Sequence, residues 1–293
     1  MTYEEICSRL SALYETGEAK AIARWALDVG FGLSMADILC GKVAALPQQE
    51  LKAIVRRLEQ GEPVQYVLGL ADFCGRQFHV EPGVLIPRPE TEELCAWMID
   101  TGIGGAVLDV GTGSGCIACT LAAAQPEAKV TAWDISETAL RVASENARRC
   151  HVHVTFERVD VLRAPLTSLQ DLREAPEHPR SAGKRTSSSD YLWDTIVSNP
   201  PYICERERSA MERNVLEHEP HTALFVPDDD PLLFYRAISD YALQALRPEG
   251  ALFFEINPLY AEQLRQHLEE KGFCVEQRED QFGKIRFTKA IRP

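Results

Sequence analysis

No stretch of about 18 apolar residues occurs in this chain, so a membrane-spanning helix is not expected. Its first residues, Met1-Thr2-Tyr3-Glu4-Glu5, lack a basic run ahead of an apolar segment, and a secretory leader is not expected either. The expected location is therefore cytoplasmic. Nine cysteines, an odd number spread thinly from Cys7 to Cys274, fit reduced thiols and not a disulfide framework. Cys116-x-x-Cys119 has no second cysteine pair nearby and sits where a helix begins, so small-residue packing is expected there before zinc or redox chemistry. The 7 histidines give no ligand spacing either, and His151 and His153 alternate along an expected strand, sharing one solvated face. No metal site is expected. Cations are in short supply, 31 Lys plus Arg against 44 acids for a net charge of −13. Within residues 1–80 the balance is 8 against 10, which disfavours an extended surface for duplex nucleic acid because binding there requires phosphate neutralisation.

What the chain does contain is Asn199-Pro200-Pro201-Tyr202, directly after the apolar run Trp193-Asp194-Thr195-Ile196-Val197-Ser198. Each proline fixes φ and supplies no N–H, so the carbonyls of Asn199 and Pro200 are not consumed by a continuing helix or ladder. With the Asn199 amide oxygen they form an acceptor-only pocket beside the Tyr202 ring, suited to a planar group bearing an NH2. An ordinary loop with a packed tyrosine has the same sequence. Both readings stand on this tetrapeptide alone.

Upstream, Gly105-Ala106-Val107-Leu108-Asp109-Val110 reads as a short strand, Gly111-Thr112-Gly113-Ser114-Gly115 as a glycine loop, and Cys116-Ile117-Ala118-Cys119-Thr120-Leu121-Ala122 as a helix start. Strand, loop and helix make a nucleotide-binding unit in which glycines let the backbone approach a ligand closely. The next strand, Lys129-Val130-Thr131-Ala132-Trp133, ends in Asp134, placed to take both hydroxyls of a ribose. The spacing is G-x-G-x-G, not the dinucleotide fingerprint G-x-G-x-x-G, and Asp109 would repel a pyrophosphate. A ligand with a cationic amine or a sulfonium suits that carboxylate, and S-adenosylmethionine carries both.

These residues resemble the class I S-adenosylmethionine-dependent methyltransferases and, among them, the HemK-type protein-(glutamine-N5) methyltransferases of peptide chain release factors. The resemblance covers most of the chain. It includes Glu62-Pro63-Val64-Gln65-Tyr66-Val67-Leu68-Gly69, Leu85-Ile86-Pro87-Arg88-Pro89-Glu90-Thr91-Glu92 and Glu219-Pro220-His221-Thr222-Ala223-Leu224. Pro-Pro-Tyr is shared with adenine-N6 methyltransferases; the Pro-Arg-Pro-Glu-Thr-Glu segment is far more specific. The stretch from Pro165 to Asp190 departs from the pattern by its length, and its Pro, Gly and Ser content reads as a mobile surface insert. For His218 and His221 the resemblance implies loop structure and not metal binding.

The chain divides near residue 80. Thr2-x-x-Glu5 and Ser34-x-x-Asp37 have capping-box form, Gly30, Gly32 and Gly61 are expected to stop helices, and residues 48–60 place Leu51, Ile54, Val55 and Leu58 on one face. Residues 1–72 are thus an expected small helical bundle, for which the resemblance implies a part in holding the protein substrate. Residues 73–84 are expected as a β-hairpin linker turning at Pro82-Gly83, and 85–293 as the catalytic domain. Strands at 106–110, 129–133, 153–159, 193–198 and 250–256 alternate with helices, which predicts an α/β, Rossmann-like, mostly parallel sheet. An antiparallel pair, 272–276 with 284–288, closes it, giving seven strands in the class I pattern.

The expected reaction is methyl transfer from S-adenosylmethionine to the glutamine amide nitrogen in the Gly-Gly-Gln motif of a release factor. Asn199 and the Pro200 carbonyl would hold the NH2, Pro201 would stiffen the loop and Tyr202 would pack on the amide. The cofactor would lie against Asp109, Gly111, Thr112, Gly113, Ser114 and Gly115, with Asp134 on the ribose, Asp160 and Val161 beside the adenine, and Asn199 next to it. The expected partner is a release factor, with no membrane, no stable nucleic acid and a monomeric chain. An adenine-N6 methyltransferase on DNA or RNA would use the same acceptor pocket, and the charge balance argues against it. A protein that only senses the cofactor would not need the pocket, and an NAD-dependent oxidoreductase fits neither Asp109 nor the glycine spacing.

Overall fold

The computed structural model describes residues 1–163 and 193–293; the expected insert at 165–190 lies outside the described residues. The N-terminal region is helical: α1 (Tyr3–Leu10), α2 (Thr16–Phe31), α3 (Met35–Leu39), α4 (Gln48–Glu59) and α5 (Val64–Leu68). Both expected capping boxes form, on Thr2 with Glu5 and on Ser34 with Asp37. Gly30 does not stop α2; the helix runs to Phe31 and ends on Gly32, whose φ of 67° is the left-handed value a C-cap requires. Ile6, Leu10, Leu27, Leu51, Val55 and Leu58 bury a core of their own, separate from the two that flank the sheet.

The hairpin lies earlier than the sequence suggests. Strands β1 (Leu70–Phe73) and β2 (Arg76–His79) pair antiparallel, and the turn is Cys74-Gly75, not Pro82-Gly83. Cys74 and Gly75 take φ of 46° and 70°, as a two-residue turn between twisted strands demands. Phe73 and Phe78, edge to face at 5.9 Å, anchor the hairpin in the core beside α6 (Pro89–Asp100) and α7 (Cys116–Ala124).

A seven-stranded sheet carries the rest. In chain order its strands are β3 (Ala106–Val110), β4 (Lys129–Asp134), β5 (Val154–Arg158), β6 (Trp193–Ser198), β9 (Leu246–Glu255), β10 (Cys274–Glu279) and β11 (Ile285–Ile291). A separate two-residue pair joins β7 (Ile203–Cys204) to β8 (Phe225–Val226). The sheet order is β10-β11-β9-β6-β3-β4-β5, with β9 through β5 mutually parallel and β11 antiparallel to both its neighbours, β9 and β10. His151, at φ 55°, ends the turn after α8 (Glu137–Arg149), and His153 precedes β5, so the two do not share a strand face. Helices cover both faces, with one core around Trp133, Tyr235 and Phe254 and another around Leu94, Ile117 and Val197. Among the described residues no helix is long and apolar enough to cross a membrane.

The winding reverses between β3 and β6. From β3 the chain moves outward to β4 and β5, then returns to β6 and proceeds to β9 on the other side. Such a switch point opens a crevice at the carboxyl ends of the two central strands. Val110 pairs with Ser198 in register, and the buried Ser198 hydroxyl donates to the Val110 carbonyl at 2.7 Å. The glycine loop and the Asn-Pro-Pro-Tyr segment therefore leave the sheet side by side.

Candidate active site

A cavity of about 460 Å³ occupies this crevice. Its walls bring together Gly111, Thr112, Gly113, Ser114, Asp134, Asp160, Val161, Asn199, Pro200 and Pro201. Three sequence candidates do not reach the wall: Asp109, Gly115 and Tyr202.

Asp109 lies wholly buried beneath the glycine loop, where its Oδ2 accepts from the Thr112 hydroxyl at 2.7 Å. Its other oxygen has no hydrogen-bond partner among the described residues. Burial pushes this carboxyl up to about 7, against the opposing pull of Thr112 and the Ala118 amide. Gly115, at φ 79°, faces α8 and not the cavity: a Cβ added there would meet the Ala143 Cβ at 2.9 Å. Gly111 and Gly113 are also left-handed, at 74° and 56°, yet an added Cβ would meet nothing within 4 Å. Space beside them is open, as a loop that accepts a ligand requires.

Asp134 ends β4 with both oxygens engaged, Oδ2 by the Gly113 amide at 2.9 Å and Oδ1 by the Ser136 amide at 2.8 Å. Burial raises its pKa while those amides pull it down. Each oxygen keeps a lone pair for a hydroxyl. Asp160 caps its own turn, accepting from the Leu162 amide at 3.1 Å with Arg163 3.4 Å away. Cys116, in the cavity wall, and Cys119 are buried free thiols, and burial pushes both upward, Cys116 to about 12. Among the described residues no group of His, Cys, Asp and Glu could hold a metal ion.

At the other end, Asn199 Nδ2 donates to Thr91 Oγ1 at 3.1 Å. Neither Asn199 Oδ1 nor the Pro200 carbonyl accepts a hydrogen bond among the described residues. Tyr202 turns its hydroxyl inward and donates to Glu255 Oε1 at 3.0 Å, while Asn257 Nδ2 holds its carbonyl at 3.1 Å. Burial, with the Glu255 charge second, drives the Tyr202 phenol well above its usual value.

Several residues that organise the site carried no role in the sequence reading. Glu219, almost fully buried, accepts from Arg88 at 2.5 Å and from the Ile86 amide at 3.2 Å, joining two of the motifs quoted above. Asn146 on α8 takes the His79 amide at 2.7 Å and gives Nδ2 to the carbonyls of His79 and Ser114, both at 2.9 Å. It thereby ties the hairpin to the glycine loop. Thr91 and Glu219 stand inside recognisable motifs, whereas Asn146 and Glu255 sit in ordinary helix and strand sequence.

Two family models match this chain, the PrmC N-terminal domain over residues 3–69 and the Methyltransferase small domain over residues 91–172. A release factor glutamine methyltransferase from Bacteroides thetaiotaomicron is 43% identical over 288 residues, covering 97% of this chain and 96% of that protein. One of the same name from Flavobacterium psychrophilum is 36% identical over 90% of this chain and 88% of its own. The chain belongs to the release factor glutamine methyltransferases. A crystal structure described as a release-factor-specific protein-(glutamine-N5) methyltransferase from Alicyclobacillus acidocaldarius is 28% identical, covers 73% of this chain and 99% of that one, and has a TM-score of 0.40. Membership in the release factor glutamine methyltransferases implies S-adenosylmethionine as methyl donor. The cavity fits such a group: its volume lies in the usual ligand range, Gly111 and Gly113 leave open space, and the buried Ser114 hydroxyl has no partner among the described residues.

Proposed function

We propose that this enzyme methylates the side-chain amide nitrogen (N5) of the glutamine in the Gly-Gly-Gln motif of a peptide chain release factor, using Asn199 as the acceptor that fixes the amide. The observation that carries the reading is the Asn199 amide: Nδ2 is committed to Thr91, and Oδ1 is left as an acceptor beside the Pro200 carbonyl.

An amide nitrogen is a weak nucleophile because its lone pair is delocalised into the carbonyl. Two fixed acceptors on its hydrogens orient it and favour the positive charge that grows on nitrogen as it is alkylated. Asn199 Oδ1 and the Pro200 carbonyl are those acceptors, and Pro201 keeps their spacing rigid. Gly111, Thr112, Gly113 and Ser114 hold the methionine part of the cofactor, Asp134 takes the ribose hydroxyls, and Asp160 with Val161 borders the adenine. Asp109 acts through Thr112, accepting from its hydroxyl beneath the loop. Bound S-adenosylmethionine supplies an electrophilic methyl group. The proton lost from nitrogen passes to water, because Asp134 and Asp160 are occupied on the cofactor side and Arg88 is paired with Glu219.

The test is labelled-methyl transfer to a purified release factor by the wild type and by Asn199→Ala. The variant is expected to lose turnover by about a hundredfold, the scale for removing one preorganised polar group, while calorimetry finds cofactor affinity nearly unchanged. Full turnover by Asn199→Ala would overturn the assignment.

A further inference from the structure

Glu255 ends β9 and is 1% exposed, yet among the described residues no cation is hydrogen-bonded to its carboxylate. Its partners are two hydroxyls: Thr91 Oγ1 donates to Oε2 at 2.6 Å, and the Tyr202 hydroxyl donates to Oε1 at 3.0 Å. A threonine hydroxyl has a single proton, and an ionised carboxylate can only accept. With that proton directed at Glu255, Thr91 Oγ1 can only accept from Asn199, 3.1 Å away. The group Asn199 turns toward Thr91 must then be its NH2, which leaves Oδ1 for the cavity.

The two orientations of an asparagine amide have nearly the same shape, so packing alone does not select one. The wrong one would present an NH2 to the substrate NH2. We propose that Glu255 and Thr91 are positioning residues that set the polarity of the Asn199 amide through a one-directional chain of hydrogen bonds. This rests on the reading of Asn199 as the acceptor of the substrate amide.

The chain runs one way only while Glu255 is ionised. A protonated carboxyl can donate to Thr91, whose own proton is then free to turn to Asn199 Oδ1 and stabilise the reversed amide. The groups facing Glu255 are Thr91 and Glu90 from α6, Tyr202, and Arg286 from β11, with the Tyr235 hydroxyl on its backbone carbonyl. Burial, with Glu90 adding to it, raises the Glu255 carboxyl, opposed by Thr91, Tyr202 and Arg286. Turnover should accordingly rise with pH as Glu255 ionises.

The experiment measures kcat, KM for the release factor, cofactor Kd and melting temperature for Thr91→Val, Thr91→Ser, Glu255→Gln and Asn199→Ala, with kcat followed against pH. Thr91→Val is expected to lose kcat about tenfold or more, with KM and Kd within about twofold, because only the polarity of one group is disturbed. Thr91→Ser should restore most of the loss and keep the wild-type pH profile. Glu255→Gln should match Thr91→Val and lose the acid limb of kcat. Wild-type kcat in Thr91→Val, or equal damage from serine and valine at unchanged melting temperature, would overturn the inference. Should Glu255→Gln fail to fold, the Thr91 pair still decides. An inactive Asn199→Ala beside a fully active Thr91→Val defeats the positioning chain alone, whereas an active Asn199→Ala defeats the acceptor reading beneath it.

Discussion

Asp109 and Asp134 are both carboxylates at strand ends of one crevice, yet they do different work. Asp134 lines the cavity and Asp109 lies below it. Asp134→Ala should weaken S-adenosylmethionine binding by about 1.5–3 kcal/mol, the range for charge-assisted hydrogen bonds to a diol, as read by calorimetry. Asp134→Asn, which keeps acceptor and size, should lose less. For Asp109 the informative variable is pH. Its carboxyl is raised to about 7 in the folded chain, against an ordinary value of 3.8. Below the ordinary value both states are protonated. Between the two values only the unfolded chain ionises, so stability falls as pH rises through that window and is level above about 7. Asp109→Asn should thus raise the melting temperature of the ligand-free protein at pH 8 and change it little at pH 4. An equal shift at both would mean that the carboxyl is not the cause. The sequence singled out both acids by their strand-end positions, but burial is a tertiary property, and no pattern placed Asp109 under the loop and out of the wall.

Among the elements, the glycine loop joins two distinct uses of glycine. Gly113 needs its left-handed φ and borders open space, while Gly115 also needs the missing Cβ for contact with Ala143 on α8. Gly113→Ala should cost about 1–2 kcal/mol of stability from backbone strain. Gly115→Ala should cost more, since the Ala143 contact admits no flexible side chain to move aside; urea unfolding of the two variants compares them. The central strands were legible because parallel strands buried on both faces are continuous apolar runs, and β3 and β6 occupy the expected residues. The hairpin was misplaced because Leu70–His79 is only partly apolar and its turn, Cys74-Gly75, lacks the usual Asn-Gly or Asp-Gly signal. Gly30 misled for a related reason: a glycine inside a helix and one at its end read alike until Gly32 is seen in the left-handed cap. The Thr91–Glu255 contact joins residues 164 positions apart, a pairing that no local pattern encodes.

At the scale of the whole molecule, the segments that looked like separate motifs form one frame. Arg88 and Glu219 bind the Pro-Arg-Pro-Glu-Thr-Glu segment to the loop before β8, and the two segments share the cavity wall. Arg88→Gln leaves Glu219 buried without its cation and should destabilise the protein by about 2 kcal/mol or more, seen as a lower urea midpoint at unchanged slope. The chain carries a net charge of −13. If the substrate is a folded release factor, turnover should fall only modestly between low and moderate salt; a log–log slope like that of several phosphate contacts would contradict it.

Labelled-methyl transfer tests the central claim most directly, with release factor, duplex DNA and ribosomal RNA offered to the same enzyme preparation and the modified residue located by mass spectrometry. The account predicts label on the release factor alone, on the glutamine of Gly-Gly-Gln, and its loss in Asn199→Ala. Label on adenine in either nucleic acid, or on the release factor at another residue, would contradict it.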